Sequence, residues 1–134
     1  MTITGAGIVI YSPDKTHILL IKDSRSRKWS IPKGAVESFD DSFIATAIRE
    51  VQEESGFVWG IDYMIDHIDG EFTQYMIFSG TASSNQLRFT ECLKEFVEEV
   101  KWIPVFDVHK LNLNFVTLLW ERQYLRPYRK KFES

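Results

Sequence analysis

The chain has 134 residues, 44% of them hydrophobic and 26% charged, with 16 basic and 19 acidic side chains. Those values exclude intrinsic disorder and low-complexity repeats and predict a single compact domain, 1–134, with a real core. A formal charge of −3 gives no general attraction for nucleic acid or an anionic membrane, so any phosphate binding must be local.

No run approaches the ~18 apolar residues that a spanning helix needs, and the opening Met1-Thr2-Ile3-Thr4-Gly5 lacks the basic region of a secretion signal. A cytoplasmic protein is expected. The lone Cys92 has no disulfide partner and no Cys-x-x-Cys spacing for zinc, and reads as structural.

In chain order, residues 2–11 are rich in β-branched types and end at Ser12-Pro13-Asp14, after which 16–22 is a second apolar run. A β-hairpin is predicted. The polar, basic stretch 23–28 leads into Trp29-Ser30-Ile31-Pro32-Lys33-Gly34, where Pro and Gly predict a loop. From 41 to 55 the period becomes helical, with Phe43, Ile44, Ala47, Ile48 and Val51 on one side. Ser38 and Asp41 resemble a capping box, and Gly56-Phe57 suits a left-handed stop. Strands are predicted over 58–68 and 71–81, joined at Asp69-Gly70. Residues 83–95 are ambiguous, 99–105 reads as a strand, 106–111 as a short helix, and 115–125 as a final helix stopped by Pro127. Beyond it Arg126, Arg129, Lys130 and Lys131 form a basic tail, expected to fray. Strands enclosing one strong helix and ending with another predict a mixed sheet between helices, an α/β or α+β layered domain.

The informative segment is Arg49-Glu50-Val51-Gln52-Glu53-Glu54-Ser55-Gly56-Phe57. At about 100° per residue, Glu50, Glu53 and Glu54 lie together beside the apolar stripe. A solvated face is the common meaning of an acidic run. Here, like charges at i, i+3 and i, i+4 each cost a few tenths of a kcal/mol, and the helix C-terminus disfavours negative charge. A hard divalent cation between the carboxylates would offset that cost while keeping coordination positions for substrate phosphate. Arg49 can pair with Glu53 at i+4 and hold it.

These residues resemble the Nudix motif, in which a Gly, five residues and a Glu are followed after seven more by Arg-Glu, an aliphatic, any residue, Glu-Glu, any residue, Gly and an aliphatic. The second half matches at every defining position if Phe57 closes it; chance supplies such a match about once in 10⁴ chains. Two departures stand out: Asp41 occupies the acidic position, and six residues rather than five separate it from Gly34. Taking Asp40 instead restores the first spacing and lengthens the second; Asp41 is preferred because a turn absorbs an insertion more easily than a helix does.

The resemblance implies a Nudix-like α/β/α sandwich and hydrolysis of a diphosphate linked to another group, with Mg²⁺ or Mn²⁺. It implies Glu50, Glu53 and Glu54 as metal ligands with the Gly34 carbonyl, and Arg49 as the residue orienting them. The general base stays open between a helix glutamate and one from a later loop, with Glu53 ranked first and Glu98 second. Arg25, Arg27 and Lys28 form a basic loop, and Lys33, fixed between Pro32 and Gly34, points into the motif, so all four are candidate phosphate-binding residues. Phe72, Tyr75, Phe78, Trp120 and Tyr124 are candidates for base stacking, although core packing is their commoner use, as it is for Trp29. His17, His67 and His109 fit no metal spacing. The expected partner is a small phosphorylated substrate, a nucleoside or dinucleoside polyphosphate. Inositol pyrophosphate or capped RNA is the alternative, and a non-catalytic nucleotide sensor would predict broken glutamates.

Overall fold

The computed structural model describes residues 2–87 and 94–131. Cys92 and part of the ambiguous 83–95 stretch lie outside the described residues.

Among the described residues seven strands form one mixed sheet: β1 (Gly5–Tyr11), β2 (His17–Asp23), β3 (Trp29–Ser30), β4 (Lys33–Ala35), β5 (Tyr63–Phe72), β6 (Tyr75–Ala82) and β7 (Val97–Pro104). The central path runs β3-β2-β1-β6-β5, with β4 pairing to β1 and β7 to β2. The β1 and β6 pair is parallel and all other pairs are antiparallel. Alternation along the strands divides the core. Ala6, Ile8, Ile10, Leu19 and Ile21 face helix α1 (Phe43–Ser55), whereas Val9, Ile18, Leu20 and Ile77 pack with Val116, Trp120 and Leu125 of the C-terminal helical segment. The expected sheet between helical layers is therefore present, as an α/β/α sandwich.

Several expectations need correction. The stretch taken as a loop contains β3 and β4, because Pro32 sits between the two short strands and interrupts neither ladder. Helix α1 starts at Phe43 rather than residue 41, and its N-cap is Ser42, whose Oγ accepts from the Ala45 N–H at 3.1 Å; Ser38 has no part in it. Gly56 is the left-handed stop (φ 81°), with its N–H on the Gln52 carbonyl. Phe43 and Ile44 are each 39% exposed; the inward positions belong to Thr46, Ala47, Glu50, Val51 and Glu54. Two glutamates therefore lie on the buried face, not beside it.

The β5–β6 turn falls at Thr73-Gln74, with Thr73 at φ 55°, and not at Asp69-Gly70. Gly70 (φ 120°) lies inside β5 at a register shift. Asp69 is buried because it accepts from Trp120 Nε1 and Ser79 Oγ, each at 2.7 Å. Asp69→Ala should cost about 2 kcal/mol, since both donors lose their acceptor in the core; urea unfolding checks this, and a midpoint equal to wild type would contradict it.

Pro127 does not end the last helix. Helix α2 (Phe115–Trp120) passes through a π turn at Glu121–Leu125 into α3 (Arg126–Lys130), and Pro127 falls in the first turn of α3, where its missing N–H costs little. Within the basic tail Arg129 is held, donating to the buried Glu121 at 2.8 Å, while Arg126, Lys130 and Lys131 are exposed.

Candidate active site

The last two turns of α1 carry the site, and β4 lies against them. The Glu54 Oε1 accepts the Lys33 backbone N–H at 3.0 Å, which joins helix to strand. Gly34, the next residue, has no room for a side chain: a Cβ there would lie 2.1–2.3 Å from the Glu50 carboxylate. Gly34→Ala should therefore push the buried Glu50 carboxylate off Arg49 and Lys94, lowering turnover about tenfold and the urea midpoint with it. Unchanged turnover would show that Glu50 position is immaterial.

Arg49 organises the cluster. Its Nη1 donates to Glu50 at 2.9 Å and to both Glu53 oxygens at 3.1 and 3.2 Å. Its Nη2 reaches the Ala35 carbonyl, and Nη2 and Nε both reach Asp40, at 2.9–3.0 Å. The i, i+4 pairing with Glu53 is as expected. The acidic partner in the motif loop is Asp40 and not Asp41. The Asp41 side chain is exposed, while Asp40 also accepts from Thr46 Oγ1 and the Glu37 N–H. The loop absorbs its extra residue after the acid, between Asp40 and the Ser42 cap. The hydrogen bonds from Arg49, outweighing burial, hold the Asp40 carboxyl well below the usual carboxylate range.

A residue that sequence reasoning missed completes the cluster. The Lys94 ammonium lies 2.5 Å from Glu50, 3.4 Å from Glu54 and 3.7 Å from Glu53, and its backbone N–H donates to the Glu53 carbonyl at 3.2 Å. Nothing local marks Lys94; only the fold brings it to the helix. Burial pushes the Glu54 carboxyl up to about 7 despite the opposing pull of Lys94. Burial would lower Lys94, but its hydrogen bond to Glu50 and the surrounding carboxylates leave it raised.

Among the described residues no three carboxylate or imidazole side chains stand at ligand spacing around one point. Glu50, Glu53 and Glu54 converge instead on the Lys94 ammonium, a cation already seated between them. Hard oxygen donors gathered around one positive charge fit Mg²⁺ or Mn²⁺ in chemistry. The spacing would have to tighten.

A cavity of about 330 Å³ opens beside Glu54, and Arg25, Lys28, Lys33, Tyr75, Lys94 and Phe96 are among its lining residues. Three of the four predicted basic residues thus share one cavity. Burial lowers Lys33, whose ammonium lies 4.5 Å from the Tyr75 ring centre. The Arg25 guanidinium, paired with Asp23, lies 3.9 Å from the Phe96 ring centre. Arg27 points elsewhere and is paired with Glu98, which Lys22 also holds at 3.4 Å. The Glu98 carboxylate is thus engaged by two cations and makes no bond to the helix glutamates. Of the stacking candidates only Tyr75 lines the cavity. Phe72, Phe78 and Trp120 are core, Tyr124 stacks on Trp120, and Trp29 is buried. Phe96 was not foreseen.

Comparison with known proteins gives three findings. The family model described as NUDIX domain matches residues 1–118. The mRNA-decapping enzyme subunit 2 of Saccharomyces cerevisiae (strain YJM789) is 31% identical over 112 residues, 79% of this chain; the chain spans 11% of that relative's length. Among solved structures, a Caenorhabditis elegans Ap4A hydrolase binary complex superposes with a TM-score of 0.71 at 20% identity, covering 96% of this chain and 97% of that one. A NUDIX domain of Shewanella oneidensis NrtR complexed with ADP ribose gives 0.66 at 20% identity, covering 96% and 89%.

Proposed function

Because the chain belongs to the Nudix family of hydrolases acting on phosphoanhydride bonds, we propose that it is a Mg²⁺- or Mn²⁺-dependent pyrophosphohydrolase of nucleoside and dinucleoside polyphosphates. The observation that carries this reading is the convergence of Glu50, Glu53 and Glu54 on one cationic position next to a basic, aromatic-walled cavity.

The chemistry explains the division of residues. A polyphosphate repels an incoming water nucleophile, and a divalent ion, when bound, screens the oxygens, stabilises the leaving phosphate and acidifies water. Glu50, Glu53 and Glu54 would hold that ion, together with the backbone carbonyl of Gly34, a residue of β4 whose Cα packs against Glu50. Arg49 fixes Glu50 and Glu53 in position. Glu53, the most accessible of the three with a side chain 25% exposed, would take a proton from water at one carboxylate oxygen. Glu98, engaged by Arg27 and Lys22, would first have to break two ion pairs. Arg25, Lys28 and Lys33, which line the cavity with Glu54, would grip phosphates, and Tyr75 and Phe96 offer ring faces to a base.

A second reading, cap hydrolysis, is supported by the 31% identity to the yeast decapping subunit. The capped end of mRNA is itself a dinucleoside polyphosphate, so both readings ask the same of the glutamates and differ in whether RNA extends from the product side. The net charge of −3 favours the small substrate. The test is incubation with Mg²⁺ and a panel of dinucleoside polyphosphates, nucleoside triphosphates, ADP-ribose, capped RNA and inositol pyrophosphates, following released products. Glutamate-dependent turnover of dinucleoside polyphosphates is expected. Preference for capped RNA would replace the first reading by the second, and turnover of none of them would overturn both.

A further inference from the structure

Resting on that reading of the glutamates, we propose that Lys94 is a tethered counter-ion of the cation site, which holds the three carboxylates together without a divalent ion, must be displaced when one enters, and then serves the substrate phosphate.

The geometry supplies each part. The Lys94 ammonium contacts all three glutamates at 2.5–3.7 Å, so it occupies the position that carboxylates on one helix face share. Among the described residues Arg49 and Lys94 are the cations paired with these three anions, and they differ in side-chain freedom. Arg49 is fixed by Asp40 and the Ala35 carbonyl as well as by the glutamates. The Lys94 backbone is anchored to the same helix, through its N–H on the Glu53 carbonyl. An ammonium on a four-carbon stem can leave while its Cα stays.

Where it would go is also fixed. Lys94 lines the same cavity as Arg25, Lys28 and Lys33, with its ammonium 5.5 Å from the Phe96 ring centre. A displaced ammonium therefore remains at the cavity, where phosphate is expected. The exchange adds one positive charge among the three glutamates, since a divalent ion replaces a monovalent ammonium, and the released ammonium meets the anionic substrate that arrives with the ion. Such an arrangement weakens ion binding to the empty protein and favours joint entry of ion and polyphosphate.

The test measures Mn²⁺ binding to the substrate-free protein by electron paramagnetic resonance, together with KM for a dinucleoside polyphosphate. Lys94→Met should bind Mn²⁺ at least about tenfold more tightly than wild type, because a competing cation is gone, yet show a raised KM. Lys94→Arg, which keeps the charge, should stay within about threefold of wild type on both readouts, and Lys101→Met, which removes a lysine that pairs with Glu99 on the same strand, should not change Mn²⁺ affinity. Tighter binding with a higher KM is a combination that a purely structural lysine would not produce. Mn²⁺ affinity equal to or weaker than wild type in folded Lys94→Met, with wild-type binding still abolished by Glu53→Gln, would overturn the counter-ion role and leave the metal reading standing. Mn²⁺ binding that ignores both Glu53→Gln and Lys94→Met would overturn the two together. If Lys94→Met fails to fold, Lys94→Gln takes its place with the same expectations.

Discussion

Glu53→Gln is expected to lower kcat by about 10²–10³-fold while the urea midpoint stays close to wild type. The side chain is one-quarter exposed, against 3% for Glu50 and 5% for Glu54, so little packing depends on it. Its loss leaves Arg49 bonded to Asp40, Glu50 and the Ala35 carbonyl, and leaves Lys94 on Glu50 and Glu54. What disappears is one negative charge and one proton acceptor where charge develops during hydrolysis, and removal of such a group costs about 3–4 kcal/mol in the transition state. Glu50→Gln makes the instructive contrast. It should impair turnover as severely but also shift the urea midpoint, because Glu50 is buried under two cations. A Glu53→Gln variant within threefold of wild type in kcat would remove Glu53 from the reaction.

Asp40→Ala should destabilise the fold by about 2 kcal/mol and lower kcat at least tenfold, whereas Asp41→Ala should leave both unchanged. Asp40 is a nearly buried carboxylate (side chain 4% exposed) paired with Arg49, and removing it leaves a guanidinium on the Glu50–Glu53 face without its main anchor. Breaking a well-buried pair costs about 3–5 kcal/mol, and the partial exposure of Arg49 reduces the figure here. The pH dependence carries a definite sign. The folded carboxyl lies below its unfolded value near 4, so the pairing contributes fully above about pH 4 and is lost as the pH falls toward the folded value. Wild type should therefore lose more stability than Asp40→Ala on acidification below pH 4, in urea titrations at a series of pH values. Parallel curves would contradict the pairing.

The two aspartates also show where sequence reading reached its limit. The helix, its Gly56 stop and the Arg49–Glu54 run were legible because they are local: a 3.6-residue period, a left-handed cap and an i, i+4 pair are all contained within a few residues. The choice of Asp41 rested on keeping the helix free of an insertion, and it failed because the helix begins later, at the Ser42 cap, so that Asp40 and Asp41 both belong to the turn. The hairpin dipeptide Asp69-Gly70 misled for a related reason. Gly70 adopts the expected positive φ, but at a bulge, and Asp69 is drawn inward by Trp120 and Ser79, partners remote in sequence. Pro127 signals a stop by residue type alone, yet it occupies a first-turn position that tolerates it. Lys94 was beyond reach, since its place against Glu50, Glu53 and Glu54 depends on a long-range approach to the helix that no spacing rule encodes.

The strand β4, which carries Lys33 and Gly34, is part of the sheet: Gly5, Ala6 and Gly7 pair with Ala35, Gly34 and Lys33, and the Lys33 amide is bonded to Glu54. Lys33, the proposed phosphate-binding residue on β4, and Gly34 are thus rungs of the same ladder that holds the domain together. Catalytic loss in rising denaturant should then coincide with global unfolding in a single cooperative transition, instead of preceding it as it does for enzymes whose active loops open on their own.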